Sequence, residues 1–291
     1  MICYNDFRQR LASVYDAAEA SAIARLVYEK RCSLSLADIL VGKDKQLSAD
    51  TYEDLEKTLL RLVESEPVQY VLGFAEFCGR EFEVNPSVLI PRPETEELCR
   101  LVKPMKDARI LDACTGSGCI AITLAASMEN ADVWAFDISE EALEVARRNA
   151  KSADIIDAKR RLHKAQRLQE NVHFLQCDAL KMEEKLDDET FDIIVSNPPY
   201  VCEKERISMD RNVLEHEPGL ALFVPDDNPL LFYTAITRYA ARHLRPNGRL
   251  YFEINPKYAD EIEDFVNLQG FTQTNIISDS FGKSRFVEAR I

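Results

Sequence analysis

Long apolar runs are missing from this chain: no stretch approaches the ~18 consecutive apolar residues that a membrane-spanning helix requires. The first residues also lack the charged-then-apolar pattern of a secretory signal. A cytoplasmic protein with no membrane partner is therefore expected. Metal-site spacing is absent too. The eight cysteines (3, 32, 78, 99, 114, 119, 177 and 202) form no CxxC pair, and the four histidines form no HExxH. Neither a metal centre nor a disulfide framework is expected, and the thiols read as reduced. Positive charge is scarce, with 36 Lys and Arg against 50 Asp and Glu and a formal net charge of −14. That balance opposes non-specific binding to phosphate backbones, which reward Lys and Arg. Glycine is rare as well, with nine in 291 residues, so each cluster of glycines carries weight. No internal repeat or low-complexity segment is evident.

What is present divides into three parts. Hydrophobic residues at 46% suffice for a sizeable core, and the length suggests about two domains. Residues 1–72 read as a small helical bundle. Phe7, Leu11, Val14, Tyr15 and Ala18 recur at helical spacing, and Ile23, Leu26 and Val27 continue the stripe. Ser35 and Ser48 stand where helix N-caps belong. Residues 73–88 read as a β-hairpin linker, with Phe74, Phe77, Phe82 and Val84 around a Cys78-Gly79-Arg80 turn.

Residues 89–291 open with an extended strap, Ile90-Pro91-Arg92-Pro93-Glu94-Thr95, in which two prolines restrain Arg92. From Arg109, strand and helix patterns alternate. Strands are expected at Arg109–Ala113, Asp132–Asp137, Val172–Cys177, Phe191–Ser196 and Arg249–Ile254. Helices are expected around 118–128, 139–165, 228–244 and 257–268, with 151–170 as a solvated helical extension. This alternation implies an α/β fold, a Rossmann-like sheet that is mostly parallel and covered on both faces. The last two strands, 271–278 and 284–291, have no helix between them and so form an antiparallel C-terminal pair.

Four strand ends carry chemistry. Cys114-Thr115-Gly116-Ser117-Gly118 follows a strand and precedes a helix, where glycines let the backbone turn and approach a ligand. It lacks the Lys of a P-loop and is not GxGxxG, which favours another adenosine-containing ligand over NAD or ATP. Asp137 ends the next strand, 19 positions past Gly118, where an acid binds ribose hydroxyls. Asp178 and Ala179 follow the third strand, and the Asp178 carboxylate suits an adenine amino group. Finally, Asn197-Pro198-Pro199-Tyr200 closes a buried apolar strand. A planar nitrogen is a poor nucleophile because its lone pair is delocalised. The Asn197 oxygen and the Pro198 carbonyl can accept its two N–H bonds, aim it at an electrophilic methyl and favour the charge that develops. Tyr200 can stack on the planar group. His216, Glu217 and Glu253 lie near the same end of the sheet and are expected to be solvated, and Cys114 and Cys119 to pack rather than react.

Together these stretches resemble the class I S-adenosylmethionine-dependent methyltransferases that modify planar nitrogens. Gly73-Phe74-Ala75-Glu76-Phe77, Phe82-Glu83-Val84 and Leu89-Ile90-Pro91-Arg92-Pro93-Glu94-Thr95-Glu96 further resemble the peptide-chain-release-factor glutamine N(5)-methyltransferases, over nearly the whole chain. The resemblance implies methylation of the glutamine side chain in the Gly-Gly-Gln motif of bacterial release factors, with S-adenosyl-L-methionine as donor and S-adenosyl-L-homocysteine as product. It places the methionine part of the cofactor at Cys114, Thr115, Gly116, Ser117 and Gly118, the ribose at Asp137, and the adenine by Asp178 and Ala179. The glutamine falls at Asn197–Tyr200, with Arg92 also at the substrate and Asn197 also at the cofactor. The N-terminal bundle would help dock the release factor. Two departures stand out: Cys114 where the family usually has Gly, and the extra residues around 151–170. The competing readings are methylation of a base in RNA or DNA, of a ribosomal-protein glutamine, or a degenerate fold acting as an adaptor.

Overall fold

The computed structural model describes residues 2–159 and 168–291. The chain forms two compact units, one of Met1–Phe74 with Met209–His216 and one of Ala75–Ser208 with Glu217–Ile291. In the first unit, helices α1 (Tyr4–Leu11), α2 (Ala17–Cys32), α3 (Leu36–Leu40), α4 (Ala49–Val63) and α5 (Val68–Leu72) surround a core of Phe7, Leu11, Ala24, Val27, Leu55 and Leu59. Ser35 and Ser48 cap α3 and α4 as their sequence positions predict, accepting the N–H of Asp38 and Thr51. The apolar stripe through Val14 is not one helix, however. Asp16 accepts the N–H of Ala18 and Glu19 and starts α2 afresh, leaving Val14 42% exposed.

Strands β1 (Phe74–Phe77) and β2 (Arg80–Glu83) make the hairpin. Cys78 and Gly79 both take positive φ at its turn (+49° and +73°), the twist that suits a two-residue hairpin. Helix α6 (Pro93–Leu101) begins on the strap, with Pro93 in its first turn.

The second unit is built on a seven-stranded sheet. In chain order come β3 (Arg109–Ala113), α7 (Cys119–Ser127), β4 (Asp132–Asp137), α8 (Glu140–Lys159), α9 (Leu168–Asn171), β5 (Val172–Gln176), α10 (Glu183–Leu186) and β6 (Phe191–Ser196). Next comes a short parallel pair, β7 (Val201–Cys202) with β8 (Phe223–Val224); the chain between these strands includes α11 (Arg211–His216), which belongs to the first unit. Then follow α12 (Leu231–His243), β9 (Leu244–Glu253), α13 (Ala259–Leu268), β10 (Gln273–Ser278) and β11 (Ser284–Arg290). The sheet order is β10-β11-β9-β6-β3-β4-β5. Strands β5, β4, β3, β6 and β9 are parallel, and β9, β11 and β10 pair antiparallel. The expected Rossmann-like sheet with its antiparallel C-terminal pair is therefore present. The expected extension over 151–170 is helical through Lys159, and 160–167 lie outside the described residues. No helix among the described residues is long and apolar enough to cross a membrane.

From β3 the chain runs outward through β4 and β5, then returns to lay β6 on the other side of β3. The loops after β3 and β6 thus leave the sheet in opposite directions and open a crevice at the switch point. Register fixes what lies there. Ala113 pairs with Ser196 and Ser196 with Phe252, so Cys114, Asn197 and Glu253, each one residue further on, come side by side.

One contact that sequence patterns did not reveal ties the hairpin to this edge. Asn149 on α8 is buried, and its Oδ1 accepts the Glu83 N–H (2.6 Å). Its Nδ2 donates to the carbonyls of Glu83 (3.1 Å) and Ser117 (2.9 Å). Asn149→Ala strands three backbone groups, and at about 1 kcal/mol per bond it should cost about 2–4 kcal/mol in denaturant unfolding.

Candidate active site

A cavity of about 470 Å³ opens in the second unit at the carboxyl edge of the sheet. Its size falls within the ordinary range for small-molecule sites. Arg92, Cys114, Thr115, Gly116, Ser117, Asp137, Asp178, Ala179, Asn197 and Pro199 line it. Gly118, Pro198 and Tyr200, also singled out in the sequence, do not. Apolar side chains, among them Leu89, Phe136, Ile138 and Phe232, complete the wall.

The loop after β3 is held by two carboxylates rather than by its glycines alone. Asp112 is fully buried, and its Oδ2 accepts the Thr115 hydroxyl (2.6 Å) and the Ala121 N–H (3.1 Å) in the first turn of α7. Its Oδ1 has no partner among the described residues. Burial pushes the Asp112 carboxyl up to about 7, against the pull of its two donors. Asp137 grips the loop from the neighbouring strand, its Oδ2 accepting the Gly116 N–H (2.9 Å) and its Oδ1 the Ser139 N–H (3.0 Å). Burial raises the Asp137 carboxyl as well.

The two loop glycines serve different ends. Gly116 has φ +54°, and a Cβ built there meets nothing within 4 Å, so its backbone faces open cavity. At Gly118 (φ +80°) a Cβ would lie 3.1 Å from Ala146 Cβ and Ile122 Cδ1. Close packing of α7 against α8 demands that glycine. Cys114 also takes a left-handed φ of +63°. Burial holds the thiols of Cys114 and Cys119 above their usual range, Cys119 at about 12, so both are protonated at neutral pH. On β5's loop, Asp178 Oδ1 accepts the Leu180 N–H (2.9 Å).

The tetrapeptide is tied to the strap. Asn197 Nδ2 donates to Thr95 Oγ1 (3.1 Å), and Thr95 Oγ1 donates to Glu253 Oε2 (2.7 Å). The Tyr200 hydroxyl donates to Glu253 Oε1 (3.1 Å). Arg92 donates to Glu217 Oε1 (2.6 Å), whose Oε2 accepts the Ile90 N–H (3.1 Å). The expectation that Glu217 and Glu253 are solvated is wrong: they are 7% and 1% exposed. A strand end or loop in the sequence gave no sign that the strap folds back over both carboxylates. Thr95 was visible only as one letter of the strap.

Comparison with known proteins agrees with this geometry. Residues 104–257 match the family described as a methyltransferase domain, and residues 3–73 match the PrmC N-terminal domain family. The second unit is thus a methyltransferase of Rossmann-like fold. The release factor glutamine methyltransferase of Bacteroides thetaiotaomicron is 44% identical over 97% of this chain and 96% of its own length. That of Flavobacterium psychrophilum is 39% identical over 97% and 95%. A solved structure, the protein-(glutamine-N5) methyltransferase (release factor-specific) from Alicyclobacillus acidocaldarius, is 25% identical, covering 72% of this chain and 98% of that one with a TM-score of 0.39. The chain belongs to the release factor glutamine methyltransferase family.

Asp112 makes the stability of this site dependent on pH. Its folded value, about 7, lies above the 3.8 of a free Asp side chain. Between those values the folded state holds a proton that the unfolded chain has lost, so this residue's contribution to stability falls as pH rises. Asp112→Asn keeps an acceptor for Thr115 and Ala121 and carries no charge. Denaturant midpoints should show the variant more stable than the parent at about pH 8, by on the order of 2–4 kcal/mol, with the gap closing below about pH 4.

Proposed function

We propose that this enzyme transfers a methyl group from S-adenosyl-L-methionine to the side-chain amide nitrogen of the glutamine in the Gly-Gly-Gln motif of peptide chain release factors. The observation that carries this reading is the meeting of Asn197 with the loop after β3 on one cavity, in a chain so similar to release factor glutamine methyltransferases.

The residues present fit the cofactor. The open face of Gly116 admits a ligand against the backbone. The Asp137 oxygens, each engaged by one backbone donor, keep lone pairs for ribose hydroxyls. The Asp178 carboxylate and the neighbouring Ala179 suit an adenine edge, and Phe136 and Ile138 give its faces apolar contact. When bound, the cofactor supplies the electrophilic methyl. The chain's own work is on the other reactant. The Asn197 Oδ1 and the Pro198 carbonyl accept the two N–H bonds of the glutamine amide, hold its nitrogen in line and favour the charge that builds on it. The half-buried strap excludes water beside them, and Arg92, braced by Glu217, faces the incoming protein.

We assign residues 1–72 to docking the release factor, 73–88 to the hairpin linker and 89–291 to catalysis. A release factor acts on the ribosome, so the enzyme's place is the cytoplasm. Nucleic acid is not expected as a substrate at a net charge of −14.

Incubation with purified release factor and methyl-labelled S-adenosyl-L-methionine should place label on the Gly-Gly-Gln glutamine. Label on RNA, DNA or ribosomal protein instead would replace this reading with one of those. Asn197→Ala should lower kcat by ~100-fold or more, since one donor-acceptor set aimed at the transition state is worth that much.

A further inference from the structure

We propose that Thr95 and Glu253 are positioning residues that fix the polarity of the Asn197 carboxamide, so that its oxygen and not its NH2 group meets the substrate amide. The proposal rests on the function proposed above and adds residues to which that function assigns no role.

Donors and acceptors follow one another along one line from Asn197 through Thr95 and Glu253 to Tyr200. Glu253 closes β9 at 1% exposure, and both of its oxygens are engaged, Oε2 by Thr95 (2.7 Å) and Oε1 by Tyr200 (3.1 Å). Both hydroxyls donate to this carboxyl group, so the protons of Thr95 and Tyr200 point at Glu253. Burial raises the Glu253 carboxyl, while the bonds donated by Thr95 and Tyr200 and the charge of Arg285 pull the other way, toward the ionised form. With its one proton directed to Glu253, the Thr95 oxygen turns lone pairs toward Asn197, 3.1 Å away. Only the NH2 end of the carboxamide satisfies lone pairs. Oδ1 is thereby left as the outward end of a side chain on the cavity wall.

The opposite arrangement would be wrong for the substrate. A primary amide nitrogen carries two N–H donors and needs acceptors. An Asn turned over would present N–H to N–H, and the carboxamide's own torsion is too soft to prevent the turn. The stop comes from outside the tetrapeptide. Thr95 stands in the first turn of α6, where its N–H donates to the Arg92 carbonyl (3.1 Å) and Pro93 stiffens the start. The strap's restraint is thus delivered to Asn197 through one hydroxyl. Tyr200 contributes from behind, its ring packed against the buried core that includes Leu111, Tyr233 and Phe252 and its hydroxyl on Glu253.

Thr95→Val removes the hydroxyl at constant volume, Thr95→Ser restores it, and Glu253→Gln adds a donor that turns the line around. In the full-length enzyme, Val should lower kcat on release factor by ~100-fold, with the S-adenosyl-L-methionine dissociation constant from calorimetry unchanged within ~3-fold. Ser should return kcat to within ~5-fold of the parent, and Gln should behave like Val. In protein labelled with ¹⁵N-asparagine, the Asn197 side-chain NH2 resonance, assigned by its loss in Asn197→Asp, should exchange slowly in the parent and fast in Thr95→Val. The proposal is overturned if Val leaves turnover and exchange as in the parent, or if Val and Gln weaken cofactor binding as much as turnover. A parent enzyme that fails to label release factor sinks the functional reading alone, and the exchange experiment then decides the polarity of Asn197 by itself.

Discussion

The pairing of β3 with β6, Ala113 opposite Ser196, is the constraint on which the rest of the site depends. Side chains alternate along a strand, so a one-residue slip would turn Asn197 away from the loop after β3 and present its neighbour instead. The register is locked locally as well as by the ladder: the Ser196 hydroxyl donates to the Ala113 carbonyl at 2.7 Å. It is also locked by burial, since Ile193, Ile194 and Val195 are fully enclosed between helices on both faces. Because the chain visits β4 and β5 between these two strands, the crevice between the diverging loops is a product of topology, and the residues flanking it need only supply chemistry.

Buried carboxylates do much of the remaining work. Asp112, Asp137 and Glu253 each meet the edge of the sheet from a different strand, β3, β4 and β9, and burial raises all three. Such groups cost stability unless donors converge on them. The donors here come from elements that would otherwise be free to move: the loop after β3 through Thr115 and Gly116, α7 through Ala121, and the strap through Thr95. The stabilisation lost to burial is converted into fixed loop geometry. Glu217 repeats the device further out, with Arg92 and the Ile90 N–H.

How far the sequence disclosed this follows from the range of the interactions involved. The alternating strands, the caps at Ser35 and Ser48 and the acid at the end of β4 depend on near neighbours, and near neighbours are what periodicity reads. The helix break at Asp16 was hidden because the apolar spacing runs through it. Asn149 and the contacts of Thr95 and Glu253 were hidden for a different reason: their partners lie 66, 158 and 53 positions away or are main-chain atoms. A Glu after a run of strand residues has the same letters whether it ends in water or under a strap. The strap itself was legible as stiff, through its prolines, but not as an orienting device, because its decisive atom is a single hydroxyl.

Cys114 shows how little a departure in letters matters when the surroundings impose the shape. The residue adopts φ +63°, a conformation that costs an L-residue about 1–2 kcal/mol relative to glycine. Two terms offset that strain. A side chain narrows the unfolded ensemble by about 0.4–1 kcal/mol relative to glycine. The neutral thiol also packs against the buried core that includes Leu111, Ile194 and Phe252. Meanwhile the turn is held from elsewhere: Thr115 N–H donates to the Phe136 carbonyl (2.9 Å), Gly116 N–H to Asp137, and the Thr115 hydroxyl to Asp112. Residue 114 therefore accepts a conformation set by its neighbours, the one a glycine would take most easily. The loop keeps its approach to the cavity with cysteine in that place, because carboxylates on two strands hold it there.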